Sequence, residues 1–95
     1  MQKSNLFLHS IGKLVQSKRS ASMDQQELAV RCGVGRNTIS NIENGRNVSV
    51  SSLLMVLEQL ELIDDFQVVI DEKLNENNAD LVRKSRKYTE LDNDF

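Results

Sequence analysis

The sequence predicts an all-α protein of five helices. Three observations carry that reading. There is no Pro, and aromatic residues make up only 4% of the 95 residues, a composition that suits a small helical bundle better than a sheet. Apolar residues recur at three- and four-residue spacing in residues 7–18 and 50–60, the period of a helix with one buried face. Residues 24–46 read as two short helices joined by a tight turn, and the rest of the chain is arranged around them.

In chain order, Ser4 or Asn5 can cap a first helix that runs to Ser17–Arg19, with residues 1–4 as a frayed end. Phe7, Ile11, Leu14 and Val15 fall on one face of it and are expected in the core. His9 stands alone, with no cluster of metal-ligating or catalytic partners nearby, and reads as a solvated or capping histidine. Ser20-Ala21-Ser22 is a loop. Asp24 is a good N-cap for the second helix, and Met23 before it can staple against Leu28. Leu28, Ala29 and Cys32 share a face, while Gln26, Glu27 and Arg31 point away from it. Gly33 supplies the left-handed residue that ends this helix, and Gly35 can cap the next.

The third helix, Arg36 to Glu43, divides in two. Ile39 and Ile42 lie on one side. Arg36, Asn37, Ser40, Asn41 and Asn44 fan over roughly 140° on the other, with no carboxylate among them. Guanidinium, amide and hydroxyl groups are what base edges in a major groove accept: arginine pairs with guanine, asparagine with adenine, serine with several bases. Asn44-Gly45-Arg46-Asn47 is a turn. Ser49 caps a fourth helix from Val50 to about Leu60, with Val50, Leu53, Leu54, Leu57 and Leu60 as its core face. Met55 and Val56 add apolar surface outside that face. In the stretch 62–70, Leu62, Ile63, Phe66, Val69 and Ile70 fit a helix, whereas Phe66, Val68 and Ile70 fit a strand; a fifth helix is the reading adopted. The spacing predicts a break at Asn75–Asn78, a helix over Ala79–Tyr88 and a loose end from Thr89 to Phe95. Residues 1–70 therefore form one domain, followed by a polar extension over residues 71–95.

The spacing Gln25, Ala29, Gly33, Ile39, Ile42, followed by Glu43-Asn44-Gly45-Arg46, resembles the helix-turn-helix of the phage-repressor and Cro class, the xenobiotic-response-element (XRE) family. The resemblance spans roughly residues 11–62. It implies a lambda-repressor-like DNA-binding domain whose third helix enters the major groove. In that arrangement Arg36, Asn37, Ser40 and Asn41 read bases. Gln25, Thr38, Asn44, Arg46 and Asn47 lie along the sugar-phosphate backbone, where contacts position the protein without reading sequence. The family commonly has an arginine late in its first helix paired with the glutamate at the place of Glu43; Lys18 and Arg19 are both in reach of that role. The chain departs from the family pattern at Gly35, where Ser or Thr is usual.

Charge supports the same partner once its distribution is considered. The net charge is −2. Within residues 11–47, however, Lys13, Lys18, Arg19, Arg31, Arg36 and Arg46 outweigh Asp24, Glu27 and Glu43 to leave +3. Residues 48–82 carry −7. Local field is what a phosphate experiences. A second expectation concerns self-association. Met55, Val56, Leu62, Ile63, Phe66, Val68 and Ile70 add up to more apolar surface than a small monomer readily hides, which predicts a homodimer interface.

Other chemistry is missing. Gly33-Val34-Gly35 lacks the third glycine and the preceding strand of a dinucleotide site. The many serines have no plausible His and Asp constellation, His9 being the only histidine, and Asp64-Asp65 point apart on a helix as a solvated face. One cysteine excludes an internal disulfide and a cysteine-built metal site and suits a reducing cytoplasm. No catalytic residue, metal or cofactor is expected. Leu6–Leu8 is too short for a signal peptide, and no apolar run reaches membrane-spanning length. The expected function is a transcriptional repressor or autoregulator on double-stranded DNA with a near-palindromic operator. The tail after Leu62 resembles that of HipB-type antitoxins, which bind a HipA-type, kinase-like toxin and repress their own operon. Two other settings stay open: a restriction-modification controller, suggested by Arg46-Asn47-Val48-Ser49-Val50, and a prophage repressor. A protein-interaction module of the same fold that does not read DNA is the alternative of another class.

Overall fold

A computed structural model describes the backbone of residues 2–87 and the side chains of residues 2–81. Five helices follow one another: α1 Lys3–Ser20, α2 Gln25–Cys32, α3 Arg36–Glu43, α4 Val50–Gln59 and α5 Ile63–Lys87. Among the described residues, those up to Ile63 form one compact unit and those from Asp64 on a second. No strand occurs among the described residues, so the stretch 63–70 is helical.

Local signals set most of the boundaries. Asp24 accepts from the backbone N–H of Glu27 at 2.8 Å, and Ser49 from that of Ser52 at 3.1 Å, each satisfying a donor that the first helical turn leaves open. Three helices end in a similar way, with a left-handed residue at the cap or just past it and paired backbone bonds reaching back. Gly33 (φ 69°) ends α2, with Val34 N–H on Ala29 O at 3.0 Å. Gly45 (φ 71°) ends α3, with Arg46 N–H on Asn41 O at 2.8 Å. At the end of α4 the same place is taken by Glu61 (φ 61°), with Leu62 N–H on Leu57 O at 2.8 Å. A side chain there is strained, because its Cβ crowds the following carbonyl. The first helix starts without a side-chain cap, on Gln2 rather than on Ser4 or Asn5.

In the first unit α3 is the element that the others surround, packing against α1, α2 and α4. Val15, Leu28, Ala29, Ile39, Ile42 and Val56 are essentially solvent-free, with Cys32, Leu57, Leu60 and Leu62 also buried. Burial pushes the Cys32 thiol above its ordinary value, which keeps it protonated and unreactive. Its Sγ lies 3.9 Å from Met55 O, joining α2 to α4.

Four sequence expectations are corrected here. Val56 and Leu62 belong to the monomer's core and are not available to a partner. The buried face of α4 is turned by about 50° from the expected one: Val56, Leu57 and Leu60 face inward, whereas Val50 is 72% exposed and Leu54 lies on the surface. On α1, Val15 is buried and Ile11 half-buried, but Phe7 is 61% exposed and Leu14 also faces out. The break at Asn75–Asn78 does not occur, since α5 runs through it without interruption. The expected loose end from Thr89 lies outside the described residues.

The inner face of α1 turns on Gly12. A Cβ there would run into Ile42 O and come within 2.9 Å of Glu43 O. This glycine is therefore the gap into which the last turn of α3 settles. Because the obstacle is backbone, Gly12→Ala must push the two helices apart, and the expected loss is about 1–3 kcal/mol of unfolding free energy. Chemical denaturation of the variant checks it; unchanged stability would mean that α1 and α3 are not in such close approach.

Candidate nucleic-acid interface

The turn between α2 and α3 takes three residues. Gly33 reverses the chain, Val34 is half-buried, and Gly35 caps α3, with Thr38 N–H bonded to Gly35 O at 3.0 Å. Ile39 and Ile42 are then sealed in the core. With one side fixed, the other must face out. Arg36 and Asn37 are exposed, and Thr38, Ser40 and Asn41 are half-buried on the shoulder of the same arc. The sequence division of α3 into two faces is reproduced residue by residue.

The orientation of α3 is locked by one buried cluster at its C-terminal end. Glu43 is the buried charged residue of the core. Arg19 meets it with two nitrogens, Nε on Oε2 and Nη2 on Oε1 at 3.1 Å, and the side chains are only 12% and 3% exposed. Gln25 Nε2 donates to the same Oε1 at 3.0 Å, and Arg19 Nη1 donates to Met23 O at 2.9 Å. Of the two basic candidates, Arg19 holds Glu43, and Lys18 is exposed. The planar guanidinium explains the preference, since it can take both carboxylate oxygens and a carbonyl at once. The hydrogen bond to Glu43 raises the Arg19 pKa against the opposing effect of burial, with the nearby charges of Glu43 and Asp24 adding to it. No buried side-chain nitrogen or oxygen among the described residues lacks a partner.

Around this locked end the polar groups remain open to a ligand. No protein hydrogen bond or ion pair engages the side chains of Arg36, Asn37, Asn41, Arg46 or Asn47 among the described residues. Asn44 differs: its Nδ2 folds back on Ser40 O at 2.9 Å and Ser40 Oγ at 3.3 Å, which commits its amide nitrogen within the helix end. Gln25 is half-buried and its amide nitrogen is committed to Glu43. Thus the fold brings Arg36, Asn37, Ser40 and Asn41 onto one outward face and places Asn44, Arg46 and Asn47 in the loop that follows it. The exposed ion pair Glu27–Arg31, at 2.7 Å on α2, lies outside this set.

One neighbour of the loop was not visible in sequence. The imidazole of His9, on α1, lies directly over Gly45: a Cβ on Gly45 would be 2.7 Å from His9 Cε1 and 2.8 Å from Cγ. Thirty-odd residues separate the two, and no periodicity links them.

A helix-turn-helix with its second helix fixed by a buried ion pair and its polar face unclaimed defines a DNA-binding domain. Comparison with known families agrees. Residues 18–63 match the family HTH_3, helix-turn-helix, the span from the last turn of α1 to the first residue of α5. Residues 18–63 thus carry a helix-turn-helix of the XRE type, which supports a DNA-binding transcriptional regulator of that type. HTH_3 is a regulatory family and not a family of enzymes. No curated protein matches the chain. Among the described residues no helix is long and apolar enough to cross a membrane.

Proposed function

We propose that this protein is a homodimeric, cytoplasmic repressor or autoregulator that reads a near-palindromic operator with α3. The observation that carries the reading is the face formed by Arg36, Asn37, Ser40 and Asn41: outward, free of carboxylates, and held on a rigid element. A surface meant for another protein would more often be apolar at its centre. Arg36, Asn37 and Asn41 read base edges, with Ser40 beside them. Gln25, Thr38, Asn44, Arg46 and Asn47 contact the sugar-phosphate and fix the register. The basic charge of residues 11–47 draws DNA to this side, while the acidic stretch 48–82 repels it from the rest.

Two copies are needed to read a palindrome, and α5 supports that assembly. At 100° per residue Ile63, Ile70, Leu74 and Leu81 fall within about 40° of one another, with Phe66 on the flank. Ile70, Leu74 and Leu81 are exposed in the single chain. Val68 projects from another side of the helix, and Met55 is exposed on α4. A two-fold pair built on α5 can hold its two reading helices about 34 Å apart, one turn of DNA. For the biological setting we propose an antitoxin or accessory regulator that represses its own operon, with a HipA-type toxin as protein partner. A helix as long as α5 beyond the matched domain supports this reading by offering surface that DNA binding does not use.

Two experiments test these statements. In a mobility shift on DNA from the protein's own promoter, each of Arg36→Ala, Asn37→Ala and Asn41→Ala is expected to weaken binding by about 1–3 kcal/mol and to relax preference at one base pair per half-site. A folded triple variant that binds as tightly and selectively as the wild type would remove α3 from the interface and favour a protein-interaction role. Phe66→Asp places a charge in the proposed α5 contact, where it is costly to bury. Sedimentation is expected to find a monomer whose α1–α4 unit keeps its circular dichroism and melting. A dimer that persists would contradict the α5 pairing, and a melted variant would assign Phe66 to the monomer's core.

A further inference from the structure

His9 lies outside the matched span 18–63. Its ring covers Gly45, and the atoms that a Cβ on that glycine would meet first are Nδ1, Cε1 and Cγ. The Nε2 edge is therefore the outer one, and the residue as a whole is exposed. Gly45 has φ 71° and no room for a Cβ under the ring, so the glycine serves both the turn and the imidazole. Its chain neighbours are Asn44 and Arg46, two of the side chains placed on the phosphate backbone above. The ring stands beside that strip, on a helix rather than on the loop itself.

We propose that His9 is a phosphate ligand of this DNA-binding surface, donating Nε2–H to a backbone phosphate next to the one held by Arg46, and that its protonation strengthens the contact. The proposal rests on the reading that the 44–47 loop faces DNA. An imidazolium adds a full charge to a hydrogen bond that neutral histidine makes only as a dipole. The charged groups around it favour an anion. One turn along α1 stands Lys13, and from the loop comes Arg46. From α3 the only carboxylate is Glu43, which Arg19 and Gln25 already occupy. No hydrogen bond or ion pair engages the His9 side chain among the described residues.

The chain has one histidine, which makes the test clean. The probe is a random-sequence duplex bound by the full chain, since a phosphate contact does not depend on sequence. The readout is the slope of log affinity against log salt at about pH 5.5 and about pH 8, conditions between which an imidazole changes charge. The slope is expected to be steeper at the lower pH by about 0.9 per protomer, one more phosphate neutralised. His9→Gln should abolish the pH difference while circular dichroism and melting stay unchanged. His9→Lys should give the steeper slope at both pH values. A wild-type slope that is the same at both pH values overturns the proposal. So does a His9→Gln variant that keeps the difference, or one that melts early and weakens binding equally at both. If Arg46→Ala flattens the slope while His9→Gln leaves every slope as it was, the loop faces DNA and His9 alone is misassigned. If Arg46→Ala also changes nothing, the placement of the loop fails and takes this proposal with it.

Discussion

The arrangement depends on one buried carboxylate. Glu43 closes α3, and two side chains from elsewhere in the chain converge on it: the guanidinium of Arg19 from α1 through two nitrogens, and the amide of Gln25 from the start of α2. Arg19 also reaches the carbonyl of Met23, in the α1–α2 connection. The cluster therefore ties the end of α3 to the two elements that flank it. A buried ion pair of this kind is not a large net source of stability, because desolvating both charges offsets most of their attraction. What it supplies is geometry. The bidentate fork admits one relative placement of α1 and α3, and Gly12 lets the two backbones meet at that placement. The apolar contacts of Ile39 and Ile42 would tolerate a small rotation of α3; the ion pair would not.

Function follows from that constraint. A helix with two isoleucines sealed and its last carboxylate pinned has no freedom to hide its other face. Arg36, Asn37, Ser40 and Asn41 are outward because Ile39, Ile42 and Glu43 are inward. The same point fixes the loop. The polypeptide leaves Glu43 through Asn44 and the left-handed Gly45, and the His9 ring closes over that turn from α1. The outward side chains of α3 and the 44–47 loop are thus held to one rigid frame, and orientation of this kind is the prerequisite for direct readout.

Much of this was legible in the residues. Capping is local, so Asp24, Gly33, Gly35 and Ser49 marked their helix ends correctly, and the two-faced pattern of α3 gave its orientation. What escaped depended on contacts across the chain. Gly12 in mid-helix carries no signal until the backbone of α3 is set against it, and His9 over Gly45 is the same kind of case. Lys18 and Arg19 differ by one residue, and spacing alone could not tell which of them meets Glu43 across the chain. On α4 nearly every position is apolar, so periodicity could not locate the buried side; Val56 won over Val50 because the helix packs with that edge toward α2 and α3. Glu61 occupies a left-handed position where Gly or Asn would have announced a turn. The asparagines at 75, 77 and 78 suggested an interruption that α5 ignores, since weak propensity at a few positions does not end a long helix.

The account can be tested most directly at Arg19. Arg19→Ala strands the Glu43 carboxylate in the core without its partner, a change expected to lower unfolding free energy by about 3–5 kcal/mol. Lowering it is not enough, because the claim is about orientation. The decisive comparison is a charge-free pair, Arg19→Met with Glu43→Met, examined by denaturation and by binding to promoter DNA. The predicted result is a double variant that recovers most of the stability lost in Arg19→Ala and yet binds DNA more weakly and less selectively than the wild type. A double variant that is stable and reads its DNA as well as the wild type would contradict the central claim, leaving the apolar packing of Ile39 and Ile42 as sufficient to aim the helix.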